Sequence, residues 1–157
     1  MRVTTFSDFA LRVLMYLALN EGRRATAAEI AGAYGISHHH LTKVVHLLGR
    51  GGWIRTTRGQ GGGLALEKPP TQIRLGEVVR ACEGGGQVAP CHGRPSGDCR
   101  IAPVCRLAGI FEQAQAAFYA ELDRHTLADL VLDAAPLQRI LMPEADSPGT
   151  SRRCSLQ

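Results

Sequence analysis

At 157 residues, with 18 Lys and Arg against 14 Asp and Glu, the chain fits one compact domain or a domain with an appended arm. No run of about eighteen apolar residues exists, so no membrane span is expected, and Asp8 falls where the apolar stretch of a secretion signal would continue. The net charge of +4 is uneven: residues 1–80 carry 11 basic against 5 acidic side chains and residues 81–157 carry 7 against 9, which makes the first half the expected face for a polyanion.

From Thr5 to about Asn20, Phe6, Phe9, Ala10, Val13, Leu14 and Leu17 recur at steps of three and four, the pattern of an amphipathic helix. Asp8 and Arg12 lie one turn apart on it, away from most of the apolar stripe. Thr26-Ala-Ala-Glu29 reads as a capping box opening a short helix through about Tyr34. Gly35 supplies a turn and Ser37 an N-cap for the next helix. There Leu41, Val44, Val45 and Leu48 are expected to face inward, leaving His38, His39, Lys43, His46 and Arg50 on the other sides. Helix, glycine turn and helix with a polar outer face is the helix-turn-helix arrangement, whose second helix enters the major groove.

Trp53 to Thr57 is predicted as a strand, Arg58-Gly-Gln-Gly-Gly-Gly63 as a basic turn, and Leu64-Ala65-Leu66 as the start of a return strand. The hairpin is the wing of a winged helix. A nucleotide-binding glycine loop would need a Gly-Lys-Ser/Thr ending and a helix directly after it, and neither is present. A short helix is predicted over Gly76–Cys82, with Val78, Val79 and Cys82 as core. The longest helical pattern runs from Arg106 to about His125 and is expected to pack against its copy in a homodimer. Thr126 caps a short helix through Asp133, Pro136 interrupts it, Leu137 to Met142 form one further turn, and residues 143–157 read as a disordered tail. The expected organisation is a winged helix-turn-helix DNA-binding unit over 1–83, a cysteine-bearing loop over 84–105, and a dimerisation helix with carboxy-terminal helices over 106–142. The fold class is therefore mainly α with a small β-hairpin.

The loop draws attention for its chemistry. Cys91, Cys99 and Cys105 stand within fifteen residues otherwise rich in Gly, Pro, Ser and Asp, a stretch with little to pack. A cytoplasmic location is expected, where thiols stay reduced, so five cysteines point to a metal or redox site more than to disulfides. Structural zinc usually takes paired cysteines two to four residues apart and four ligands. Spacings of seven and five, with three cysteines, suit an iron–sulfur cluster with one non-cysteine ligand better. Zinc with His92 as a fourth ligand stays open as the alternative.

The opening Thr-Thr-Phe-Ser-Asp-Phe-Ala-Leu-Arg, the segment Tyr-Gly-Ile-Ser-His-His-His-Leu-Thr-Lys, the wing Arg-Gly-Gln-Gly-Gly-Gly-Leu, the stretch Ile-Arg-Leu-Gly-Glu-Val-Val-Arg, the cysteine trio and Thr-Leu-Ala-Asp-Leu-Val together resemble one family. It is that of the iron–sulfur winged-helix repressors, which include IscR and RirA, and the likeness is strongest to its nitric-oxide-sensing branch. The resemblance spans residues 1 to about 141. It implies a homodimer that binds a double-stranded DNA operator and represses nitric-oxide detoxification genes while its cluster is intact, nitrosylation lowering DNA affinity. A [4Fe–4S] cluster is implied over [2Fe–2S], with Cys91, Cys99 and Cys105 as ligands and the partner subunit supplying Asp8 to the fourth iron.

Two departures matter. IscR-type sites place a histidine three residues after the last cysteine, and Ala108 stands there instead, which argues against [2Fe–2S]. Relatives often begin the recognition helix with an arginine and an asparagine before the last histidine, whereas this chain has His38-His39-His40. Three consecutive helical positions point apart, so the run makes a poor metal site. The DNA contacts expected are Ser37, His38, His39, His40 and Lys43 in the groove and Arg58 and Gln60 at the wing, mostly to phosphates. An electron carrier would want a fourth cysteine and has no use for a basic wing, and no grouped catalytic set suggests an enzyme. A regulator of the same family that senses iron or cluster supply is the neighbouring alternative.

Overall fold

The computed structural model describes residues 3–84, 99–101 and 104–142. Helix α1 (Thr5–Leu19) begins where the Thr4 side chain accepts the Ser7 N–H, and it buries Ala10, Val13, Leu14 and Leu17. Helix α2 (Ala27–Tyr34) opens with the expected capping box. The Glu29 N–H donates to Thr26 Oγ1 at 3.1 Å while the Thr26 N–H donates to Glu29 Oε2 at 2.5 Å. Gly35, at φ 64°, closes that helix in the left-handed region that glycine tolerates best. Ser37 then caps α3 (His38–Arg50), in which Leu41, Val44 and Leu48 are buried. Val45, expected to face inward with them, is only half-buried, because it lies at the edge of the stripe.

Strands β1 (Ile54–Thr57) and β2 (Gly63–Leu66) pair antiparallel, with Ile54 opposite Leu66 and Thr57 opposite Gly63. The loop ahead of α2 extends the hairpin through a bridge between Ala25 and Leu64, whose two N–H···O bonds measure 3.0 and 2.8 Å. A 3-10 turn, Pro70–Gln72, leads into α4 (Leu75–Glu83). The remaining helices are α5 (Leu107–Asp123), α6 (Leu127–Leu130) and α7 (Ala134–Leu141).

Pro136 does not break the chain as expected. It sits in the first turn of α7, where the backbone N–H groups have no intrahelical acceptor, so its missing donor costs no hydrogen bond. The Thr126 helix ends early, at Leu130 instead of Asp133.

α1 runs through the centre and touches α2, α3, α4, α6, α7 and β2. Leu14, Ile30, Leu41, Leu48, Ile73 and Leu127 are fully buried around it, each stabilising the fold by about 1.5–3 kcal/mol. α5 is held differently. Its carboxy-terminal end is fixed to α4 by two Arg80–Asp123 bonds, one of them 2.9 Å long, and by the Arg80 guanidinium lying 4.8 Å from the centre of the Tyr119 ring. A Cβ on Gly76 would stand 2.1 Å from Asp123 Oδ1, so the close approach needs glycine there. At the other end Leu107 and Ile110 are 48% and 58% exposed, and Tyr119 is the one buried residue of the helix.

Candidate nucleic-acid interface and cysteine site

The polar side of α3 is built by its cap and its buried stripe. Ser37 Oγ accepts the His40 N–H at 3.4 Å and lies 3.0 Å from His40 Nδ1, which turns that imidazole back along the helix. The His40 ring also sits 6.3 Å from the Phe9 ring of α1. His38, His39 and Lys43 are exposed, and Thr42 Oγ1 donates to the His38 carbonyl at 2.9 Å. His39, Lys43, His46 and Arg50 follow one another at helical spacing, and the helix contains no acidic residue. The exposed stripe therefore suits a polyanion.

At the wing, Arg58 and Gln60 are exposed at the tip between the strands. Gly59 and Gly61 take φ values of 96° and 75°, and the Gly62 N–H closes the turn on the Gly59 carbonyl at 2.9 Å. Arg24 reaches across from the loop before α2, and its Nη1 donates to the Gly61 carbonyl at 3.1 Å.

Asp8, in the first turn of α1, is half-exposed and accepts from Arg12 Nε at 2.8 Å. The Arg12 guanidinium in turn lies 5.5 Å from the centre of the Tyr34 ring, at the end of α2. Burial pushes the Tyr34 hydroxyl up to about 12, so it stays protonated. One residue before Asp8, the fully buried Ser7 hydroxyl donates to Glu83 Oε1. The same oxygen accepts the Thr4 N–H at 2.9 Å and Thr4 Oγ1 at 2.8 Å. The start of α1 is thus tied to the end of α4, where the chain departs toward the cysteines. A carboxylate in the last turn of a helix opposes the helix dipole. That misplacement was the one sequence signal that Glu83 has a partner elsewhere.

Cys99 and Cys105 are free, half-buried thiols, while Cys91 lies outside the described residues. Among the described residues, no three His, Cys, Asp or Glu side chains converge. The donors in view are soft sulfurs not spent on a disulfide. That chemistry fits an iron–sulfur cluster or zinc and not a hard oxygen-loving cation. Cys82 differs: it packs against the core, and burial pushes its thiol up to about 11, as suits a small hydrophobe. Among the described residues no helix is long and apolar enough to cross a membrane.

The profile of the Rrf2 family, described as an iron-dependent transcriptional regulator, matches residues 3–133. Two similar curated proteins are HTH-type transcriptional regulators NsrR. That of Geobacillus kaustophilus is 42% identical over 142 residues, covering 90% of this chain and 97% of its own length. That of Shouchella clausii is 39% identical over 142 residues, covering 90% and 95%. Among solved structures, T. potens IscR superposes with a TM-score of 0.69 at 24% identity, over 88% of this chain and 91% of that one. The oxidized form of Staphylococcus aureus CymR gives 0.66 at 25% identity, over 83% and 95%. The winged-helix architecture is shared with both solved structures.

Proposed function

The chain belongs to the Rrf2 family of transcriptional regulators, and from that premise we propose that it is a homodimeric repressor that releases DNA in response to nitric oxide. In this reading Cys91, Cys99 and Cys105 hold an iron–sulfur cluster, [4Fe–4S] in preference to [2Fe–2S], and the partner subunit's Asp8 completes the ligand set. When bound, the cluster supplies an iron that a small diatomic ligand can reach. The identity to two NsrR proteins supports the nitric-oxide signal, and the free thiols at 99 and 105 support the ligand set.

The observation that carries the coupling is the position of Asp8. It lies on α1, which packs directly against α3, and its partner Arg12 rests on Tyr34 beside the turn between α2 and α3. A carboxylate drawn toward the cysteines leaves Arg12, and one released from them returns to it. Either change acts where the reading helix is seated. Ser37, His38, His39, His40 and Lys43 then face the major groove, and Arg58 and Gln60 meet the backbone from the wing. A second copy is favoured by α5, whose first turns leave Leu107 and Ile110 bare, together with Ile101 and Val104 close to the two thiols.

The experiment is anaerobic. The purified protein is titrated with nitric oxide while its visible absorbance and its binding to a candidate operator are followed together. A brown protein whose broad band bleaches as DNA is released supports the reading. A colourless protein with stoichiometric zinc sinks the cluster, and a cluster that bleaches without any change in DNA binding sinks the signal.

A further inference from the structure

We infer that Arg24 is a positioning residue for the wing, holding the glycine-rich tip in one orientation so that Arg58 and Gln60 meet the duplex. The inference rests on the reading of the wing as a DNA contact.

The tip is built to turn tightly and has little to hold it. Gly59 and Gly61 occupy positive φ, and a Cβ on Gly62 would stand 2.4 Å from the Thr57 carbonyl oxygen, so the path needs glycine. Glycine also has the most conformational freedom to lose. Inside the hairpin a single bond, Gly62 N–H to the Gly59 carbonyl, closes the turn. From outside it, the one side chain among the described residues that hydrogen-bonds the tip is Arg24, through Nη1 on the Gly61 carbonyl.

The brace is itself anchored. The next residue, Ala25, makes both bonds of the bridge to Leu64, so the Arg24 backbone moves with β2. A Cβ on Gly63 would stand 3.0 Å from the Ala25 carbonyl oxygen and 3.1 Å from Arg24 Cβ, which shows how closely the two segments approach. Its neighbour Arg23 is committed to Glu29. Arg55 and Lys68 line the same open cleft at the base of the wing, and neither has a carboxylate partner among the described residues. Arg24 is thus the cation that grips the tip. The rest of its guanidinium is exposed, so a direct phosphate contact is the rival explanation for any effect on DNA binding.

The full-length protein, purified anaerobically, is compared with Arg24→Ala, Arg58→Ala and the double variant. Affinity is read by fluorescence anisotropy on a duplex enriched from a random library by the unsubstituted protein, at one fixed salt concentration. Amide exchange at Gly62 is read in the free protein. Each single change is expected to weaken binding by about three- to tenfold, as for one lost hydrogen-bond contact. The double variant is expected to bind within about twofold of the weaker single one, because Arg24 acts through Arg58. Gly62 is expected to exchange faster in Arg24→Ala. Losses that multiply in the double variant would overturn the inference alone and make Arg24 an independent contact. Unchanged exchange at Gly62 would also overturn it, since the tip would not be braced. An Arg58→Ala protein that binds as tightly as the unsubstituted one removes the wing from the interface, and both readings fall.

Discussion

Glu83→Ala removes one oxygen that serves three donors at the junction of α1 and α4. The Thr4 donors are exposed and can turn to water, so their loss contributes little. The Ser7 hydroxyl is fully buried, and its remaining partners, Thr4 Oγ1 at 3.3 Å and the Cys82 thiol, are weak substitutes. A buried hydroxyl left poorly satisfied costs about 1–3 kcal/mol, and with the partial rescue by Thr4 we expect a loss near 1–2 kcal/mol. That corresponds to a fall in Tm of about 3–8 °C for a chain of this size. Ser7→Ala combined with Glu83→Ala should recover part of it, because no orphaned group then remains. Burial raises the Glu83 carboxyl, but the hydrogen bonds from Ser7 and Thr4 outweigh it and hold the group below its ordinary value of 4.5. A depressed carboxylate stabilises the fold above its unfolded value and loses that contribution as pH falls through the folded one. The margin over Glu83→Gln should therefore stay flat at pH values well above 4.5 and close as pH falls below it. Urea unfolding of the metal-free protein, followed by circular dichroism across that range, measures both effects. An Ala variant within about 0.3 kcal/mol of the unsubstituted protein at pH 7 would refute the argument.

Lys43→Ala should weaken DNA binding on all sequences and lower the slope of log affinity against log salt by about 1, as titration at several salt concentrations would read; an unchanged slope removes Lys43 from the interface. Gly76→Ala should push the Asp123 carboxylate off Arg80 and cost about 1–2 kcal/mol in urea unfolding, whereas Asp123→Ala with Gly76→Ala should cost little more than Asp123→Ala alone. With its thiol held up to about 11 by burial, Cys82 should alkylate more slowly with iodoacetamide at pH 8 than Cys99 and Cys105 in the metal-free protein, by mass spectrometry. Cys99→Ala should lose iron and acid-labile sulfide while Cys82→Ala keeps them. Full iron content in Cys99→Ala would remove that thiol from the ligand set.

The helix-turn-helix could be read from the chain because its signals are local. The Thr26–Glu29 box, Gly35 and Ser37 act within four residues, and the buried stripe of α3 repeats every turn. The hairpin was legible for the same reason, in its glycines. Bonds between distant residues were not: Ser7 to Glu83, Arg80 to Asp123 and Arg24 to Gly61 are 76, 43 and 37 residues apart, and no periodicity encodes such pairs. Pro136 was misread because a proline breaks a helix only past its first turn. Of the cysteine trio, Cys99 and Cys105 are free thiols, Cys91 lies outside the described residues, and Asp8 is Arg12's partner within its own protomer.

α5 is clamped at one end and bare at the other, and the two ends are about 24 Å apart along the helix axis at about 1.5 Å per residue. Asp123, Arg80 and Tyr119 form the fulcrum, and Cys105 stands just before the free end. A tilt of about 5° at the clamp would carry the first turn about 2 Å, a distance comparable to a full metal–sulfur bond. The helix is in this sense a lever, long enough to turn a small rotation at α4 into an ångström-scale shift beside Cys105.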